Sequence, residues 1–109
     1  MPYAEPLSSD QVAARLAGLP GWEVLPGGDG ADGAASLRRV YRLAHLPAAI
    51  FALHIAGIQA ELDHHSELTL GYDTLTVALT THAAGGRLTA KDFDLAARIE
   101  AIAPAHSAA

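Results

Sequence analysis

The sequence predicts an α+β fold, a four-stranded antiparallel sheet with helices packed on one face, in the order helix, strand, strand, helix, strand, strand, helix. Three observations carry that expectation. Residues 75 to 81 alternate Leu75, Val77 and Leu79 with Thr76, Ala78 and Thr80, the period-two pattern of a strand with one buried face. From Pro47 onward, apolar residues at Ile50, Phe51, Leu53, Ile55, Ile58 and Leu62 cover a wide helical face, which predicts a largely buried central helix. Pairs of short apolar runs separated by turn residues lie on either side of that helix, so each pair is expected to close as a hairpin.

Each element has a local reason. Ser8 and Gln11 fit a Ser-x-x-Gln capping box before Val12, Leu16 and Leu19, and Gly18 with Pro20 stops this first helix. Trp22 to Leu25 reads as a short strand and Leu37 to Leu43 as its partner. Between them, residues 26 to 34 (PGGDGADGA) are a turn or flexible loop, without the Gly-Lys-Ser/Thr ending of a phosphate-binding loop. Pro47 suits the first position of the central helix. Leu68 to Tyr72 and Leu75 to Thr81 follow as strands around a turn at Tyr72-Asp73. Thr89 and Asp92 form a second capping box, for a last helix with Leu95, Ile99 and Ile102 inward. Pro104 ends it, leaving residues 104–109 as a disordered tail.

Composition narrows the function. The 109 residues suffice for one domain with a modest core, and 50% hydrophobic against 17% charged residues is the balance of a folded globular chain. A net charge of −5 argues against a nucleic-acid role, which needs clustered Lys and Arg. The absence of cysteine excludes disulfide and thiolate chemistry and fits a reducing, cytoplasmic setting. No apolar run approaches the ~18 residues of a membrane span, and MPYAEPLSSD lacks the basic and apolar regions of a signal peptide.

The stretch ELDHHSEL, residues 61–68, carries the chemistry. His64 and His65 follow a helix, and His82 closes a strand; neighbours in sequence point apart, so His64 and His65 are expected to do different jobs. An unperturbed imidazole titrates near pH ~6.5, which suits proton transfer at neutral pH. Glu61, Asp63 and Asp92 are carboxylates able to orient an imidazole or hold an amidine-like ligand edge. A zinc site built from His64 or His65, His82 and a carboxylate is the next reading, but no His-Glu-x-x-His, no i, i+4 histidine pair and no cysteine supports it. His45, His54 and His106 are expected to be structural.

Asp63-His64-His65-Ser66-Glu67, Tyr72, His82 within TTHAAGG, and Asp92 within LTAKD together resemble the pterin-4a-carbinolamine dehydratase family, over about Trp22 to Ile99. The resemblance implies the same sheet-and-helix fold. It also implies dehydration of a 4a-hydroxytetrahydropterin to quinonoid dihydropterin, in tetrahydropterin recycling, with no metal or organic cofactor. His64 and His82 match proton-transfer positions, His65 a position in binding and catalysis, and Glu61, Asp63, Lys91 and Asp92 are expected in the substrate pocket. The implied partners are the pterin and further copies of the chain, as a homodimer or homotetramer, with neither nucleic acid nor membrane. A non-catalytic protein-binding or assembly module on the same fold is the alternative, though a pure scaffold has no physical reason to keep three histidines. The chain departs from the family at Ser66 and Leu68, where proline and tryptophan are common, and at Ala60, where an ungapped match expects a glutamate. Glu61, one place later, takes that role if the helix is one residue shorter, and otherwise the carboxylate is missing or rotated by about 100°.

Overall fold

The computed structural model describes residues 5–26 and 35–109, so most of the expected loop, residues 27–34, lies outside the described residues. The elements are α1 (Ser9–Leu16), β1 (Glu23–Pro26), β2 (Ala35–Arg42), α2 (His45–Leu62), β3 (Glu67–Leu70), β4 (Thr74–Leu79) and α3 (Ala90–Ile102). The four strands form one antiparallel sheet in the order β1-β2-β4-β3, with the two expected hairpins joined through β2 and β4.

Register decides which face is buried. Leu37 pairs with Leu79, and Tyr41 with Leu75. Paired residues of an antiparallel sheet point to the same side, so these four and Val77 make one apolar face, and none of the five is exposed. Ala48, Phe51, Ile55 and Ile58 of α2 and Phe93, Leu95, Ala96 and Ile99 of α3 complete the core against it. Among the described residues, no buried side-chain nitrogen or oxygen lacks a hydrogen-bond partner.

Both capping boxes form as their sequences predict. Ser8 and Gln11 exchange bonds of 2.8 and 3.2 Å, and Thr89 caps α3 with Asp92 at its third position. The central helix starts earlier than expected, at His45 after Ala44, which places Pro47 third. Proline is still tolerated there, because amides of the first turn have no acceptor within the helix.

Two expectations are corrected. The apolar residues of α2 do not all face inward: Leu46, Ile50 and Leu53 are 69%, 50% and 74% exposed. At about 100° per residue these three and Gly57 form a second stripe, roughly 150° round the helix from the Phe51–Ile55–Ile58 stripe. One sheet face covers only one stripe. Nor are residues 104–109 an unstructured tail. Ala103–His106 form a 3-10 turn, the backbones of Ala109 and Arg42 exchange hydrogen bonds of 2.9 and 3.3 Å, and the His106 ring stacks on Phe51 at 5.0 Å. His106 Nε2 also lies 2.8 Å from His54 Nδ1 on α2. Pro104 is accommodated because a 3-10 turn, like a helix start, leaves an early amide without work to do.

One carboxylate ties α3 to the sheet. Glu100 Oε1 accepts from Trp22 Nε1 at 2.8 Å, from Arg39 Nε at 3.2 Å and from the Tyr41 hydroxyl. The Arg39 guanidinium also lies over the Tyr41 ring, 4.3 Å from its centroid. Gly21 allows this approach: its φ is 91°, and a Cβ there would stand 2.9 Å from Arg39 Cζ. Burial pushes the Glu100 carboxyl upward, but the bonds from Tyr41, Trp22 and Arg39 outweigh it and hold the group below its usual range. Burial, then the Glu100 carboxylate, push the Tyr41 phenol far above its own.

The sign of each shift gives a pH profile. The Glu100 contribution is fully present above the unfolded value of ~4.3 and is lost as pH falls through the lower folded one. The Tyr41 contribution is present below ~10 and is lost as pH rises past it. Glu100→Ala is expected to lower stability at pH 7 by about 2–3 kcal/mol in urea titrations and to flatten both limbs of the profile. A native-like profile in the variant would refute the assignment.

Candidate active site

The site begins where α2 ends. Asp63 is the C-cap residue, in the left-handed region with φ 51°, and its amide donates to the Gln59 carbonyl. Asp can adopt this conformation at modest cost, and it turns the chain sharply. The His64 amide donates to the same carbonyl at 3.1 Å. After the turn His64 points into the protein, 8% exposed, whereas His65 points to solvent. The two adjacent histidines occupy different environments, as their sequence positions require.

Behind His64 stands Asp92, with no exposed surface. His64 Nε2 lies 2.7 Å from Asp92 Oδ1, while Oδ2 accepts from the Thr81 hydroxyl and the Thr89 amide, each at 2.9 Å. The Thr81 and Thr89 hydroxyls are 2.8 Å apart. A carboxylate only accepts, so Nε2 carries the hydrogen in this pair, and the other ring nitrogen, Nδ1, keeps a lone pair in the neutral imidazole. Asp92 also sits in the first turn of α3, where aligned peptide dipoles favour negative charge.

His82 arrives from the end of β4. Thr81 bridges Arg87, and the Thr80 hydroxyl lies 2.8 Å from the carbonyls of Ala35 and Gly86, closing the loop at its base. His82–Ala84 form a 3-10 turn, and Gly85 and Gly86 follow with φ 73° and 78°. Glycine takes those angles without strain, which is why the loop can fold back within so few residues. His82 itself is exposed.

These pieces converge. Asp63, His64, His65, Thr80, Thr81, His82, Ala83 and Lys91 line a cleft of about 220 Å³. A neighbouring cleft of about 300 Å³ shares His65, Thr80 and His82 and continues over Ser36, Ser66, Glu67 and Ala78. Five of the residues expected at the site, the three histidines, Asp63 and Lys91, therefore border one cavity. Asp92 lies one layer behind it, bonded to His64. Glu61 lines neither cleft; its Oε2 lies 2.7 Å from Arg98 Nη2 on α3. Among the described residues, no three histidine or carboxylate side chains gather at metal-ligand spacing.

The structure adds Thr81 and Gln59, which sequence reasoning passed over. Thr81 had a signal: it extends the buried series Leu75, Val77, Leu79 by one more step of two, so a polar side chain there must find a buried partner. Gln59 had a weaker one, a long amide beside Ile55 and Ile58 where an aliphatic side chain would pack.

Comparison with known proteins gives the family. The family model described as pterin 4 alpha carbinolamine dehydratase matches residues 5–102. A relative from Streptomyces coelicolor, named as an inferred pterin-4-alpha-carbinolamine dehydratase, is 50% identical over 106 residues, covering 96% of this chain and 97% of its own. One of the same name from Chloroflexus aurantiacus is 40% identical over 97 residues, covering 88% and 95%. A crystal structure from Brucella melitensis, described as a transcriptional coactivator/pterin dehydratase, superposes with TM-score 0.75 at 27% identity, covering 90% of this chain and 98% of that one. A family match over nearly the whole chain, with relatives at this identity, leaves one conclusion: the chain belongs to the pterin 4 alpha carbinolamine dehydratase family.

Proposed function

We propose that the protein is a hydro-lyase that converts 4a-hydroxytetrahydropterin into quinonoid dihydropterin and water. The observation that carries this reading is the 2.7 Å bond from His64 to buried Asp92, at the back of a cleft that also holds His65 and His82. The reaction breaks the C4a–O bond and the N5–H bond and forms a C4a=N5 double bond, with no net change of electrons. It needs one group to protonate the departing hydroxyl and one to take the N5 proton, and two imidazoles on separate elements can do both. His64 suits the base, since the Asp92 carboxylate stabilises the imidazolium that proton uptake creates. His82, on its exposed loop, suits the acid. Asp63 and Lys91 border the space left for a flat ring and serve binding, while His65, on the same border, serves both binding and catalysis. Asp92 has no surface to offer a ligand and acts through His64. Glu61, engaged by Arg98, contributes to the α2–α3 contact.

A non-catalytic protein-binding module is the second reading, and the exposed Leu46, Ile50 and Leu53 stripe on α2 favours it. In the dehydratase reading that stripe is covered by another copy of the chain, giving a homodimer or homotetramer, because exposed apolar rows mark association surfaces. Light scattering at micromolar concentration is then expected to give a multiple of 11.3 kDa, and Leu53→Lys to shift the mass towards the monomer. A monomeric native protein would sink this part of the proposal.

The activity test follows loss of 4a-hydroxytetrahydropterin, generated in situ, by ultraviolet absorbance. His64→Ala and His82→Ala are each expected to lower kcat by about 10²-fold or more while remaining folded. Asp92→Asn is expected to lower kcat as well, and to destabilise the fold by about 2 kcal/mol through its mismatched buried bonds. If the native protein does no better than buffer, the dehydratase reading falls and the binding module takes its place.

A further inference from the structure

His65 is exposed at the mouth of both clefts, so its aim depends on the backbone that carries it. That backbone is held on either side by one residue. The Gln59 main-chain carbonyl accepts from the His64 amide at 3.1 Å, and the Gln59 side-chain oxygen accepts from the Ser66 amide at 3.1 Å. The Ser66 hydroxyl donates to that side-chain oxygen too. Gln59 is only 6% exposed, so these bonds form where water competes little and are correspondingly directional. A helix terminus usually leaves the chain beyond it free to pivot. Here the last turn of α2 reaches forward over its own cap and grips the chain three residues past it.

We infer that Gln59 is a positioning residue for His65: with its two carbonyl groups it brackets the histidine and sets the direction in which the imidazole enters the cleft. His64 does not need this help, because Asp92 fixes its ring from α3. The inference rests on the dehydratase reading for its kinetic consequence, but not for its structural one. Positioning errors of the size that a released turn allows lower kcat by about 10- to 100-fold, and act on turnover more than on binding.

The experiment compares the native chain with Gln59→Met, which keeps length and loses the acceptor, and Gln59→Glu, which keeps acceptor oxygens. Ser66→Ala, which loses only the hydroxyl bond, completes the set. Each is assayed for kcat and KM, and the order of the His64 and His65 rings is read from NMR relaxation of the imidazole carbons in the free protein. Gln59→Met is expected to loosen the His65 ring, leave the His64 ring unchanged and lower kcat by at least about tenfold, with KM within about twofold of native. Gln59→Glu is expected to restore most of both losses. A folded Gln59→Met variant with native kcat and a native His65 ring overturns the inference. If that variant does not fold, Ser66→Ala decides by the same ring measurement: a looser His65 supports the inference and an unchanged one overturns it. A native protein without dehydratase activity would remove the reading of the site, while the ring measurement would still judge Gln59.

Discussion

The arrangement of this protein turns on a single buried carboxylate. Asp92 joins three parts of the chain: His64, just past the cap of α2, Thr81, just past the end of β4, and the start of α3. An ionised carboxyl is tolerable in such a place only when donors meet it, and here three do, with the dipole of α3 behind them. Remove any one donor and the rest of the group's environment no longer justifies its burial. That is why the ends of three elements, which would otherwise be free to splay, meet at one point. The cleft is a consequence of that meeting.

Much of this was legible in the residues. The alternation through Leu75, Val77 and Leu79 and the two capping boxes led directly to the strand and helix starts, because each pattern has a local physical cause. Asp92 was legible as a capping acid, and its Oδ2 does accept from the Thr89 amide; expected in the pocket itself, it instead lies behind the cleft, with Oδ1 on His64. What could not be read was set by rotation and by distant partners. Whether Glu61 looks into the cleft or towards α3 is a matter of about 100° in helix phase, and Arg98, which holds it, lies in another element. The two apolar stripes of α2 look like one wide face until the sheet that covers only one of them is in place. The packing of residues 103–109 against Phe51 and Arg42 leaves no local trace, since the contacts that order them lie far back in the chain.

The adjacent histidines show how a small fold obtains two environments from two consecutive residues. A left-handed residue at the helix end turns the backbone so that one imidazole enters the protein and the other stays in water. The first is held by a charge, and its hydrogen is committed. The second is free to meet whatever enters the cleft. Ser66 belongs to the same economy: its amide and hydroxyl are both engaged by Gln59, so the turn is fixed by hydrogen bonds.

The carboxylate at Glu100 has a consequence of another kind. The chain contains one tryptophan, and its indole N–H ends on that oxygen, with the ring 5% exposed and edge-on to Tyr41. Glu100 lies eight residues beyond Asp92, about 12 Å along α3, so the indole reports on the clamp and not on the cleft. Its fluorescence is therefore an internal gauge of whether the fold is intact, independent of the chemistry at the histidines. A protein that goes dark in catalysis while its tryptophan emission stays unchanged has lost its chemistry and kept its architecture, and light alone distinguishes the two.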